Sequence, residues 1–284
     1  MVDNGLVARR RALAPGAIDR RSLPILAPGE IAMPFTINPM SEAVQRDTFW
    51  APHAHATHEL LWNRRGASTA TIGARTWTIT PVIGLWVPAG VLHAGRAPAG
   101  TWYRTAHFDL RATAALPPEP VAVEVTALLG LLLDRLAEPE LTERSRDLTE
   151  MLVFDLLKPS AQALLVHLPR RPLLAPILAA HQGDPADART LADWARELGV
   201  SSRTVTRAFR VETGLGFADW QAAFRAQQAA LLLGGGLAVD EVAELVGYRS
   251  ASAFGVAFRR VTGMSPGRFR GGSSRPELEM SAAR

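Results

Sequence analysis

LADWARELGVSSRTVTRAFR, Leu191–Arg210, is the stretch that decides the fold. Thr190 followed by Asp193 is a capping-box start for a helix, each side chain satisfying a backbone N–H of the other. Ala195 is small where two helices must approach closely. Gly199 stands where a helix ends in a left-handed turn, and Ser201 can cap the next one. Val205 and Ala208 are apolar where that second helix packs back on the first. The spacing is that of a helix-turn-helix, with a plain helical hairpin as the alternative.

The pattern recurs in VDEVAELVGYRSASAFGVAFRR, Val239–Arg260. Ala243 and Gly247 each follow Ala195 and Gly199 by 48 residues, whereas Phe258-Arg259-x-x-Thr262-Gly263 follows Phe209-Arg210-x-x-Thr213-Gly214 by 49. The one-residue slip is expected inside the second recognition helix. A single helix over about 218–233 joins the two units, and the helical pattern runs from Pro172 to about Arg270. Two such units on one rigid helix are a far more specific signal than either alone.

The last hundred or so residues resemble the DNA-binding domain of the AraC/XylS family of bacterial transcription regulators, and GYRSASAFGVAFRRVTGMSPGRFR (Gly247–Arg270) follows that family's signature. The resemblance implies two recognition helices reading successive major-groove faces of double-stranded DNA, about one helical turn (~34 Å) apart. It implies Ser202, Arg203, Thr206 and Arg207 as DNA-binding residues of the first helix. Arg249, Ser250, Ser252 and Arg259 are those of the second. Arg207 stands where the family usually has arginine. Val256 departs from the family, which commonly has arginine there, and Ala253 and Gly255 are small too. The second unit is therefore expected to read bases less directly, leaning on backbone contacts and thymine methyls. Ala238 lacks the hydroxyl cap usual before that unit, a cost of about 1 kcal/mol. The phenylalanines of both units and Trp220 are expected in the core.

Upstream, residues 49–110 read as β-structure. STATIGARTWTI alternates around Gly73-Ala74 as a hairpin, and Val82–Gly90 and Trp102–Leu110 are further strands. Within this region lies PHAHATHELLWNRRG, Pro52–Gly66, with three histidines and a glutamate in seven residues. His53-x-His55, then Glu59 and Gly66, resembles the first motif of the cupin barrel, and Pro88-x-Gly90-x-x-His93 resembles the second. Gly84 lies nearer than usual, and Ala97 replaces a frequent asparagine. In metal-binding cupins the ligands would be His53, His55, Glu59 and His93. Three imidazoles and a carboxylate suit a divalent metal such as Fe, Mn, Zn or Ni, and alternate residues of one strand would present them together. The same four residues define an effector pocket if no metal is held. His58 is expected on the opposite strand face, and His107 either joins the pocket or is simply buried, with burial favoured.

The expected fold class is α+β. Residues 1–28 form a flexible segment. A cupin-like β-barrel effector domain covers 29–118, and a helical linker with a dimerisation role covers 119–169. The all-α domain with two helix-turn-helix motifs covers 170–270, followed by a disordered tail over 271–284. In the linker, Val121, Val125, Leu128, Leu129, Leu132, Leu133 and Leu136 share one helical face, and Leu148, Met151, Leu152 and Leu156 another. Ala161–Leu168 reads as a third helix.

Composition sets the outer limits. The 284 residues are 48% hydrophobic and 20% charged, with a formal charge of +4. Residues 170–284 hold 15 Arg against 11 Asp and Glu, so the whole excess belongs to the C-terminal part, a mild hint of an anionic partner. The absence of cysteine excludes disulfides and thiolate chemistry. No secretory leader pattern and no membrane-length apolar run is read, which gives the expectation of a soluble, cytoplasmic chain without membrane contact. The function expected is a transcription regulator that senses a small-molecule effector and acts as a homodimer, engaging RNA polymerase if it is an activator. The alternative is a cupin metalloenzyme with an accessory helical domain.

Overall fold

The computed structural model describes residues 18–110 and 117–272. The expected N-terminal segment is thus described only from residue 18, and the expected tail beyond 272 lies outside the described residues. Among the described residues no helix is long and apolar enough to cross a membrane.

Among the described residues, eleven strands build the N-terminal half: β1 (Asp19–Arg21), β2 (Ile37–Ala43), β3 (Thr48–His53), β4 (His58–Arg65), β5 (Ser68–Ile72), β6 (Arg75–Ile79), β7 (Ile83–Val87), β8 (His93–Ala97), β9 (Trp102–Phe108), β10 (Val121–Glu124) and β11 (Leu165–His167). They form a cupin-like pair of sheets, ordered β1-β3-β8-β5-β6-β11 and β10-β7-β4-β9-β2, rather than a closed barrel. The two-residue hairpin between β5 and β6 falls at Gly73-Ala74 as expected. Gly73 has φ +60°, which a tight turn between right-twisted strands needs at that position. Strand β4 shows why the sheets stack. Leu60 and Trp62 face one way and join Ile37, Ala106 and Phe108 in a core beneath the linker helices. Glu59, Leu61 and Asn63 face the other way and line the space between the sheets.

Helices α1 (Ala127–Arg135) and α2 (Glu143–Leu156) start at Thr126 and Thr142, whose hydroxyls accept the Leu129 and Ser145 N–H groups. Leu129, Leu133 and Val153 are fully buried on the β4/β9 face, each contributing about 1.5–3 kcal/mol. Three expectations for this half are corrected. Val121–Glu124 is a strand, not the start of a helix: its Val-Ala-Val alternation pairs it with β7, Val121 opposite Trp86. Ala161–Leu168 is not helical: Leu165–His167 pairs with the exposed edge of β6. Residues 18–28 are not loose. Strand β1 runs parallel to β3, and Arg21 is held by Asp19 and Glu42. On α2 the buried side chains are Thr149, Glu150 and Val153, while Leu148, Met151 and Leu152 are about half exposed.

The C-terminal half comprises α3 (Ala175–Gly183), α4 (Leu191–Glu197), α5 (Ser202–Thr213), α6 (Phe217–Gly234), α7 (Val239–Leu245), α8 (Ala251–Thr262) and α9 (Pro266–Gly272). Pairs α4/α5 and α7/α8 are the two helix-turn-helix units, each with its own aromatic core around Phe209 and Trp220 or Phe254 and Phe258. The capping box at Thr190 and Asp193 is formed, and Gly199 and Gly247 take φ +66° and +83°. Helices α4 and α7 are 7 residues each, and α5 and α8 are 12 each. The slip therefore does not lie inside the second recognition helix: it is an extra residue in the turn, Gly-Tyr-Arg-Ser where the first unit has Gly-Val-Ser. Ala238 provides no side-chain cap, as expected.

The halves are joined along α6 and β11. Buried Gln227 donates from Nε2 to the Thr76 carbonyl of β6 at 3.0 Å. Trp220 donates its indole N–H to the His167 carbonyl of β11 at 2.9 Å. Gly234 abuts the β4–β5 turn so closely that a Cβ would stand 2.6 Å from the Ala67 nitrogen.

Candidate effector cavity and nucleic-acid interface

Between the two sheets lies a cavity of about 290 Å³. One end is imidazole-rich. His53 is the last residue of β3, and His55 sits in the segment leading to β4, which carries Glu59. His93 opens β8 opposite His53. The two motif histidines thus do not alternate along one strand, because the chain leaves β3 at His53. The ring nitrogens of His53, His55 and His93 lie within 4.8 Å of one another. Glu59 Oε2 stands 3.3 Å from His93 Nε2 and 3.4 Å from His55 Nε2. His53 Nδ1 and His93 Nδ1 donate to the Ala51 and Val91 carbonyls at 2.7 and 2.9 Å. With the proton on Nδ1, Nε2 carries the lone pair, as in a metal-ligating histidine, and at His93 it faces Glu59 Oε2.

The electrostatics of this end follow from burial and from one carboxylate. Burial would raise the Glu59 carboxyl, but the neighbouring imidazoles of His93, His55 and His107 outweigh it and hold it at about 2. Burial pushes His55 down to about 4 and lowers His53. At His93 burial also acts downward, but pairing with Glu59 overcomes it and leaves His93 above its ordinary value. Glu59 Oε2 is buried without a well-directed hydrogen bond. A buried carboxylate in that condition calls for a cation, so the donor set fits a divalent metal ion.

His58 points away, stacking on Trp86 and accepting the Ala89 N–H. His107 takes the less favoured of its two expected places, in the pocket. It pairs with Glu59 across β9 and β4, lines the cavity, and its ring lies 4.9 Å from that of His55. Its signal was the two-residue alternation of β9, since His107 shares a face with Tyr103 and Thr105. Away from the imidazoles the wall turns apolar, with Met40, Trp50, Leu61 and Ile79. At the Arg21 side, Tyr103 donates to Glu42, which also accepts two bonds from Arg21.

On the other half, Arg203 and Arg207 are exposed one turn apart on α5. The Thr206 hydroxyl is used internally, donating to the Ser202 carbonyl. On α8, Ser250 caps the helix by accepting the Ala253 N–H, while Arg249, Ser252 and Arg259 are exposed. Arg210 is exposed at the position of α5 equivalent to Arg259.

Residues 40–154 match the family description "AraC-like ligand binding domain", and residues 194–272 match "Helix-turn-helix domain". The chain is 28% identical over 222 residues to the HTH-type transcriptional regulator NimR of Escherichia coli K12, covering 76% of this chain and 81% of that protein. It is 43% identical over 89 residues to the HTH-type transcriptional regulator RipA of Corynebacterium glutamicum, 31% of this chain and 27% of that protein. Among solved structures, ToxT from Vibrio cholerae O395 aligns over 84% of this chain and 98% of its own, with 10% identity and a TM-score of 0.37. The relatives are regulators, which sets aside the metalloenzyme alternative. With a ligand-binding domain and a paired helix-turn-helix domain on one chain, the protein belongs to the AraC-type transcriptional regulators.

Proposed function

We propose that a small molecule bound between the two sheets alters how α5 and α8 engage two successive major-groove faces, and that the chain does this as a cytoplasmic homodimer. The observation that supports it most is the pair of 12-residue recognition helices held by one 18-residue spacer, α6. Arg203 and Arg207 take base edges or phosphates, while Arg249, Arg259, Ser202, Ser252 and the Ser250 hydroxyl contribute positioning contacts. The effector presents an apolar body to Trp50, Leu61 and Ile79 and a polar group to the histidine end. A divalent metal there would be held by His53, His55, His93 and Glu59, and would supply a Lewis-acid anchor for an oxygen or nitrogen donor of the effector. The half-exposed Leu148, Met151 and Leu152 of α2, with Leu128 and Leu131 of α1, offer the dimer surface. If the protein is an activator, RNA polymerase is a further partner.

Gel-shift titration against the DNA upstream of its own gene tests this reading. A sequence-preferring complex that weakens steeply with salt is expected. Arg207→Ala should weaken it by about 1–3 kcal/mol and relax preference at one position. His53→Ala should leave effector-free binding intact. Absence of a sequence-preferring complex under any ligand condition overturns the proposal.

A further inference from the structure

Superimposing the two units residue for residue, from the Ser201 and Ser250 caps to the Gly214 and Gly263 stops, matches Arg203 with Ser252. It also matches Thr206 with Gly255 and Arg207 with Val256. The second reader has therefore lost every long polar side chain over its first two turns. What it carries instead is unusual for a solvent-facing helix. Val256 is 72% exposed, a β-branched residue on an open helical surface where propensity favours almost any straight polar side chain. Gly255 precedes it in mid-helix, and a methyl built there meets nothing within 4 Å. Among the described residues nothing requires a glycine at that point, and glycine is a poor helix former. Both residues sit on the face that corresponds to the Arg207 side of α5.

We propose that Val256 is a specificity-determining residue that packs its methyls against the 5-methyl group of thymine, and that Gly255 lets α8 sit deep enough in the major groove to make that contact. The inference rests on the DNA-reading proposal above and sharpens it into an asymmetry. The α5 half-site is read through arginine and guanine edges, and the α8 half-site through thymine methyls. Arg259 and Arg260, exposed one turn further on, remain free to hold phosphates on either side of that contact.

The test uses the full chain and a duplex chosen by in vitro selection. Each thymine is replaced in turn by deoxyuridine, which removes only the 5-methyl group, and affinity is read by fluorescence anisotropy. One or two replacements, all in one half-site, should weaken wild-type binding about three- to tenfold. Val256→Ala should bind thymine and deoxyuridine duplexes equally and match the wild type on the deoxyuridine duplex within twofold. Gly255→Ala should raise the melting temperature yet lose affinity for the thymine duplex, since its added methyl can clash only with DNA. If a sequence-preferring complex forms but no replacement changes affinity twofold, or Val256→Ala keeps the full discrimination, the thymine-methyl assignment is wrong while the DNA-reading proposal stands. If no sequence-preferring complex forms with any duplex, both fall.

Discussion

Gly234→Ala separates interdomain packing from helix propensity because the two predict opposite signs. Gly234 is the last residue of α6, and alanine is intrinsically the better helix former by up to about 1 kcal/mol. By propensity alone the substitution stabilises. The new Cβ, however, would stand 2.6 Å from the Ala67 nitrogen, 2.9 Å from the Gly66 carbonyl carbon and 3.0 Å from the Ala67 Cβ. Two of these contacts are backbone, which cannot swing aside as a side-chain tip would. Gly66, at φ +83°, is itself hemmed in by Thr101. Overpacking of this kind costs about 1–3 kcal/mol, so the expected net effect is a loss of about 1–2 kcal/mol, or about 2–8 °C in melting temperature. Gly255→Ala is the internal control: the same chemical change in an open position should stabilise by about 0.5–1 kcal/mol. Thermal melts by circular dichroism, run side by side, decide the matter. If Gly234→Ala melts at or above the wild type, α6 is not pressed against the β4–β5 turn in solution.

Four further outcomes follow from particular side chains. His181 is fully buried among Trp194, Phe217 and Trp220, donates to the Ile177 carbonyl and accepts from Gln221, and burial lowers its pKa. The unfolded chain therefore takes up the proton first. The stability from neutral His181 is complete above pH 6.5 and drains away as pH falls below that, levelling beneath the folded value. His181→Gln should flatten that part of the pH–stability curve, and an unchanged curve refutes the assignment. Asp134→Asn should destabilise by about 2 kcal/mol, because Arg104, only 6% exposed, loses its carboxylate partner; partial exposure of Asp134 trims the full buried-pair effect. Urea unfolding checks it. Glu59→Gln should abolish stoichiometric Zn²⁺ or Mn²⁺ uptake measured by elemental analysis after dialysis; uptake equal to wild type removes the metal site from this cavity. Leu131→Glu combined with Met151→Glu should shift sedimentation from dimer to monomer without loss of helicity, and an unchanged sedimentation coefficient moves the interface elsewhere.

The helical half was legible because its signals are local. A cap, a small residue, a left-handed glycine and an apolar return lie within about 20 residues, and the second copy repeats them. The hairpin at Gly73-Ala74 and the histidine set were readable for the same reason. What escaped was non-local. Val121–Glu124 continues the apolar spacing of α1, and only pairing with β7, some 35 residues earlier, makes it a strand. Leu165–His167 is claimed by β6, about 90 residues away. His107 enters the cavity because β9 pairs with β4 in the register that sets it against Glu59, and no spacing along the chain encodes a register between strands more than 40 residues apart. The exposed Leu148, Met151 and Leu152 were read correctly as one face, but the face turns outward because Glu150 is drawn inward to accept the Ile37 N–H.

Helix α6 limits what an effector can change. At 18 residues, about 27 Å, it is the rod that sets the distance between the two readers, and the same rod is fastened to the sensor through Gln227 and Trp220. A rod cannot be lengthened by tugging at its side. On the proposed reading, strain arriving from the cavity turns or frees the pair of readers as one body, and the interval between half-sites is a constant of the protein. In the proposed homodimer, any ligand-dependent choice among promoters is then made in the arrangement of one subunit relative to the other.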